Sequence, residues 1–154
     1  MQLKLVLHTA LKKKDVYKLS IKTTNIYPVW RGCVLLIRRS PKDPCNPLMW
    51  ECPGGHVDLD CGDFDNLSLR IEALRELKEE TGVVSEPKDL IALPKVGYHQ
   101  PYILNFATKM PPTIKLSNEH DLFKWHSMVS KVNNSPMRKE VFSFIHKNKL
   151  RMLR

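Results

Sequence analysis

The segment Ile71-Glu-Ala-Leu-Arg-Glu-Leu-Lys-Glu-Glu-Thr-Gly82 constrains this chain more than any other stretch of it. It lies within the best helical run, Ser68 to Thr81, and Gly82 suits the left-handed conformation that follows a helix terminus. Advancing about 100° per residue from Glu76 places Glu80 near +40°, Glu72 near −40° and Glu79 near −60°, with Leu74 and Ile71 roughly opposite. Four carboxylates therefore share one face. Like charges at i,i+4 cost a few tenths of a kcal/mol per pair, so a face with almost no compensating base is an unusual choice for stability alone. A positive partner is expected there. Oxygen-rich, histidine-free clusters favour hard cations, and Mg²⁺ typically bridges carboxylates to substrate phosphates. A solvated, glutamate-rich surface helix is the competing reading of the same residues.

Around this helix the chain reads as one domain over residues 1–154, without repeats or a Ser/Gly-rich linker. Strands are expected at Met1 to Leu7, Val16 to Ile21 and Cys33 to Ile37; Ser40 to Pro47 marks a loop before Leu48 to Glu51, and Pro53-Gly54-Gly55 is a turn. More strands follow at Val83-Val84, Ile91 to Val96 and Tyr102 to Thr108, and Thr113 to Leu116 and Leu122 to Trp125 look extended. Ser135-Pro136 resembles an N-cap with proline at the first helical position, opening a basic helix whose apolar side is Val141, Phe142 and Ile145. No stretch approaches the ~18 apolar residues of a membrane span, and the first ten residues lack a leader's cleavage pattern. Cys33, Cys45, Cys52 and Cys61 contain no Cys-x2-Cys pair, so free thiols in a reducing cytoplasm are expected.

The charge is unevenly placed. Residues 51–90 hold eleven acids against four bases, whereas the chain as a whole is at +9. A basic body attracts anions, and its acidic segment repels them unless a cation is bound there. An anionic substrate together with a metal satisfies both signs, although a basic surface also serves solubility alone.

Arg75-Glu76-Leu77-Lys78-Glu79-Glu80-Thr81-Gly82-Val83 resembles the second half of the signature of the Nudix hydrolases, G-x5-E-x7-R-E-U-x-E-E-x-G-U with U a bulky aliphatic residue, and matches it at every specified position. The resemblance extends to Leu35-Leu-Ile-Arg-Arg39, to Trp50-Glu-Cys-Pro-Gly-Gly-His-Val57 and to Ser117-Asn-Glu-His-Asp-Leu-Phe-Lys-Trp125. It implies an α/β fold, the Nudix-type α/β/α sandwich with a mixed β-sheet and a catalytic loop-helix-loop. It also implies Mg²⁺-dependent hydrolysis of a nucleoside diphosphate linked to another group, with Mn²⁺ as the alternative cofactor. The chain departs from the signature upstream. Leu67 stands where the family has glutamate, and Gly55 lies six residues too far from Arg75. An insertion that lets Gly62-Asp63 stand for the family's Gly-Glu is one repair; Leu67 packing inward with the contact missing is the other.

Under this resemblance Glu76, Glu79 and Glu80 are the metal ligands, a Gly54 or Gly55 carbonyl supplies another, and Arg75 orients a carboxylate by a bidentate pair. Glu119, in an expected loop, and Glu76 compete as general base, while His120 is set aside as a hydrogen-bonded bystander. Arg38 and Arg39 are candidates for phosphate contact and Tyr98 for stacking on a base. A tyrosine near this position resembles the diadenosine polyphosphate subfamily; Pro101 keeps ADP-ribose open, and the basic body keeps nucleoside triphosphates and RNA ends open. A catalytically weak or silent nucleotide- or RNA-binding Nudix module is the alternative, motivated by Leu67.

Overall fold

The computed structural model describes residues 21–57, 65–130 and 136–152. The strands expected within Met1–Ile21, the Gly62-Asp63 pair and Ser135 therefore lie outside the described residues, Ile21 excepted. Among the described residues seven strands and two α-helices run in the order β1 (Thr23–Trp30), β2 (Cys33–Arg39), β3 (Trp50–Glu51), β4 (Gly54–His56), α1 (Leu67–Thr81), β5 (Leu90–Ala92), β6 (His99–Phe106), β7 (His120–Ser127) and α2 (Lys139–Met152). Among the described residues no helix is long and apolar enough to cross a membrane.

β1, which the sequence patterning did not single out, is the middle of the sheet. It pairs in parallel with β6 from Thr23↔His99 to Trp30↔Phe106, and the remaining strand pairs are antiparallel, so the sheet is mixed. Pro28 and Asn25 disguise it, because both residue types are depleted in strands. The other edge of β1 explains how proline is tolerated. Thr23 to Asn25 pair with β4, Val29 and Trp30 pair with β2, and Pro28, which has no N–H to offer, sits where the partner changes. The β1–β2 connection is a two-residue turn in which both Arg31 and Gly32 have positive φ, 46° and 75°, as a twist-matched hairpin requires. β2 carries β7 along its whole length on one side and β1 then β3 on the other.

Alternate residues of β1 face different helices. Tyr27 and Val29 join Val34, Leu36, Val141, Phe144 and Ile145 beneath α2, where the Tyr27 and Phe144 rings stack at 3.7 Å. Ile26 joins Ala73, Leu77, Leu90, Tyr102 and Leu104 beneath α1. The two helices cover opposite faces of the mixed sheet, as the α/β/α expectation has it.

α1 begins one residue earlier than expected, with the Asn66 side chain accepting from Leu69 N, and ends at Gly82 (φ 71°), whose N–H donates to the Lys78 carbonyl. Its apolar face is Leu69, Ala73 and Leu77; Ile71 and Leu67 are exposed, Leu67 at 62%, so Leu67 does not pack inward. Other expectations shift. Val83-Val84 is not a strand; Thr113 to Leu116, with Ile114 and Leu116 half-buried, runs beside the end of α1, where Lys115 N donates to the Thr81 carbonyl at 2.8 Å. After the expected Ser40–Pro47 loop, Leu48 turns at φ 61° and Trp50 and Glu51 form β3. The strand expected at Ile91 to Val96 shortens to Leu90–Ala92, and α2 starts at Lys139 because Pro136 to Arg138 pair instead with Trp50.

Leu77 is fully buried between helix and sheet. Replacing Leu77 with alanine should lower the unfolding free energy by about 2–5 kcal/mol, measured by urea denaturation with an unchanged slope.

Candidate active site

Two glycines bring the sheet and α1 together. An ideal Cβ on Gly55 would stand 2.6 Å from the Glu76 carboxyl carbon, so only a side chain of hydrogen lets Glu76 lie against this turn. One helical turn on, the Gly54 N–H donates to Glu80 Oε2 at 2.9 Å. The i,i+4 spacing of the two glutamates thus delivers both carboxylates to one backbone turn.

Glu80 is 6% exposed because +40° on the helix is also the side that packs on the sheet. Burial, reinforced by the neighbouring carboxylates Glu51, Glu76 and Glu119 and opposed by the Gly54 N–H, pushes its carboxyl up to about 8. Glu51 and His120 complete a buried trio with Glu80, with one potential ligand atom from each lying within 4.8 Å of the others. His120 Nε2 is 3.2 Å from Glu51 Oε1 and 3.9 Å from Glu80 Oε1. Burial works against the charge on Glu51, yet the His120 hydrogen bond and the Arg39 and Arg138 guanidiniums hold its carboxyl below the usual carboxylate range. The premise of a histidine-free cluster is therefore corrected: an imidazole stands inside it. The sequence did carry a sign of Glu51, a lone acid in the apolar run Leu48-Met-Trp-Glu-Cys52 beside the glycine turn. His120 carried none, since a single histidine at a strand start has no pattern to betray it.

Arg75 reaches three carboxylates rather than one, with nitrogens 3.1 Å from Glu72, 2.7 Å from Glu76 and 3.0 Å from Glu79. Glu79 faces outward, its side chain 57% exposed, and stands apart from the trio. Glu119 is exposed in the loop before β7, near enough for its charge to raise Glu80. Arg39 lines a cleft of about 180 Å³ together with Glu51, Gly54, Gly55, Asn25, His99 and Arg138. Arg38 is directed elsewhere, held bidentately by Asp121 at 2.9 and 2.6 Å, and Tyr98 is exposed and not part of the cleft lining.

A NUDIX domain family model matches residues 22–145. The chain belongs to the Nudix family. No curated protein matches the chain. Solved structures share its fold. A MutT protein from Methanosarcina mazei Go1 is similar at TM-score 0.62 and 23% identity, over 85% of this chain and 94% of that one. The NUDIX domain of Shewanella oneidensis NrtR, complexed with ADP ribose, is similar at TM-score 0.64 and 21% identity, over 86% and 88%. A C. elegans Ap4A hydrolase is similar at TM-score 0.57 and 20% identity, over 86% and 98%.

The donor set of this Nudix site fits a divalent cation. Two buried carboxylates and an imidazole converge, the Glu76 carboxylate lies against the same glycine turn, and burial together with the neighbouring carboxylates raises Glu80.

Two outcomes follow. In Gly55→Ala the new methyl displaces the flexible end of Glu76 rather than backbone, so the thermal midpoint should hold while calorimetry shows Mn²⁺ affinity falling about 10–100-fold. The second concerns pH. Because the Glu80 carboxyl sits near 8 in the folded chain and at 4.5 ordinarily, its contribution to stability is whole below pH 4.5 and is lost as pH rises through 8. His99 and His126, both pushed below 6.5 by burial, give the opposite slope, which is complete by pH 6.5. Chelator-treated protein should therefore lose thermal stability between pH 6.5 and 8, and Glu80→Gln should flatten that decline.

Proposed function

We propose that this hydrolase cleaves the pyrophosphate linkage of a nucleoside polyphosphate, a nucleoside triphosphate or a dinucleoside polyphosphate, by attack of water on phosphorus. The observation that carries the reading is the buried Glu80, tied to the Gly54 N–H and facing Glu51 and His120 at the edge of a cleft that Arg39 also lines. The Ap4A hydrolase among the structural neighbours supports the substrate class.

Glu76, Glu80 and Glu51, with a Gly55 carbonyl, are the residues to hold a divalent cation, Mg²⁺ or Mn²⁺, and Glu79 stands by on the outer side of Arg75. Such a cation supplies charge neutralisation on the phosphate oxygens and on the leaving group. The chain's own groups do the rest. Arg75 fixes Glu76 against the glycine turn, so that carboxylate keeps its place without being reorganised during the reaction. Arg39 offers a guanidinium fork to phosphate oxygens. Glu119 accepts the proton of the attacking water; it is exposed, whereas Glu76 is committed to Arg75 at 2.7 Å. The cleft, about 180 Å³ and lined by Arg39, Arg138 and His99, is of a size for phosphate groups, and the rest of the nucleotide lies outside it.

A second reading is a catalytically weak module that binds nucleotide without turning it over. Leu67, exposed at the start of α1, offers no carboxylate where the family signature has one, and the NUDIX domain of NrtR was solved holding ADP ribose. One panel separates the readings: nucleoside triphosphates, dinucleoside polyphosphates, ADP-ribose and triphosphorylated RNA, each with Mg²⁺, Mn²⁺ or chelator, products resolved by mass. Metal-dependent release of a mononucleotide or of pyrophosphate supports the hydrolase, and binding without product supports the module. Glu80→Gln should lower kcat at least about 100-fold with the fold intact, and Glu119→Gln about 10²–10⁴-fold. Full activity in Glu80→Gln would sink the assignment of the metal ligands.

A further inference from the structure

Arg138 is placed firmly for a residue that only precedes a helix. Trp50 N donates to the Pro136 carbonyl at 2.9 Å and Arg138 N donates to the Trp50 carbonyl at 3.0 Å, so the segment ahead of α2 adds to β3 as a short parallel bridge. That places Arg138 beside Glu51, and its guanidinium joins the lining of the cleft. Nε is 2.8 Å from Glu51 Oε2, yet its N–H is not aligned with that oxygen; the atom is buried and makes no hydrogen bond. A terminal nitrogen is 3.7 Å from Glu140 Oε1, within ion-pair range but beyond hydrogen-bond reach.

The other oxygen of Glu51 is differently served. Arg39 donates to Oε1 at 2.8 Å and is itself braced by Asp43 at 2.9 Å, and His120 lies 3.2 Å from the same oxygen. One carboxylate thus stands between two guanidiniums, well bonded on the side of the trio and poorly bonded on the side of Arg138. A buried donor without its partner is destabilising, and a guanidinium fork binds phosphate oxygens as well as carboxylate oxygens. A second anion is the group that completes Arg138.

We propose that Arg138 and Arg39, which both line the cleft, clamp the phosphate chain of the substrate, their guanidiniums meeting phosphate oxygens on the cleft side of Glu51 while that carboxylate keeps its place beside Glu80 and His120. Arg138 lies on the Oε2 side of Glu51, away from His120, so it reads a phosphate beyond the bond that is cleaved. The substrates favoured are nucleoside triphosphates and longer polyphosphates over diesters of two phosphates such as ADP-ribose. This rests on the pyrophosphohydrolase reading above and adds to it a residue outside the Nudix signature.

The test compares wild type, Arg138→Ala and Arg138→Lys in two measurements. The first is calorimetric binding of inorganic tripolyphosphate and of pyrophosphate in chelator at low salt. The second is steady-state kinetics on ATP, diadenosine tetraphosphate and ADP-ribose. Arg138→Ala should weaken tripolyphosphate binding and raise KM for the two polyphosphates about 10–100-fold. The loss should fall in KM rather than kcat, be smaller for ADP-ribose, and be partly recovered by lysine. Unchanged tripolyphosphate affinity, or a loss confined to kcat or equal for all three substrates, overturns the clamp while leaving the hydrolase in place. A wild type that neither binds tripolyphosphate nor hydrolyses any of the three overturns both. Circular dichroism checks the fold of each variant. Should the alanine variant unfold, Arg138→Gln, which keeps the side chain as far as Cδ and a polar end without the charge, is read against the same outcomes.

Discussion

The single hydrogen bond from Gly54 N to Glu80 Oε2 holds the site together. It ties the last turn of α1 to the strand that follows Glu51, and both partners are there for reasons set by the backbone. Gly54 fits because any Cβ would collide with Thr24 O at 2.3 Å and Asn25 Cα at 2.6 Å, so β4 lies flush on β1. Glu80 fits because the apolar stripe Leu69, Ala73 and Leu77 draws its side of the helix onto the sheet. A carboxylate carried into the interior in this way has little water to solvate its charge, and the backbone N–H is only partial relief. The fold therefore places an unmet demand for positive charge at one point on the cleft.

That demand resolves the uneven charge of the chain. The acidic face of α1 is only partly solvated: Glu72 and Glu80 are buried, and Glu72, Glu76 and the exposed Glu79 converge on Arg75. Arg39 and Arg138 come from distant parts of the sequence and meet across Glu51. Acidic and basic groups are thus interleaved within one cleft, the arrangement that a cation and a phosphate chain need together.

What was legible in the sequence was what repeats locally. Arg75 to Gly82 fix a helix, its end and its acidic face within one window, and the resemblance built on them carries through to the family and the sandwich. Non-local pairing was not legible. β1 contains Pro28, and only the change of partner from β4 to β2 along its edge makes that residue acceptable in a central strand. Glu51 reads as one more acid until β2 and β3 pair and bury it, and His120 reads as a bystander until β7 aligns along β2. Arg138 follows a proline expected to open a helix, and the backbone bonds to Trp50 turn it into part of the cleft instead. In each case the information lies in a partner far along the chain.

The imidazole of His120 bears on which cation the site takes. Mg²⁺ binds six oxygens in a strict octahedron and gives up its waters reluctantly, so Glu76, Glu80 and the glycine carbonyl already offer what it accepts. Mn²⁺ takes oxygen donors of the same kind, and imidazole suits softer first-row ions better. For Mg²⁺ the ring is more useful as a hydrogen-bond partner of Glu51, holding that carboxylate beside Glu80. His120 Nδ1 is 3.5 Å from Ser117 Oγ, so the ring has a polar neighbour on its far side in either role. The two roles separate chemically, because a ligand must present a bare nitrogen whereas a donor to Glu51 must keep its proton on Nε2.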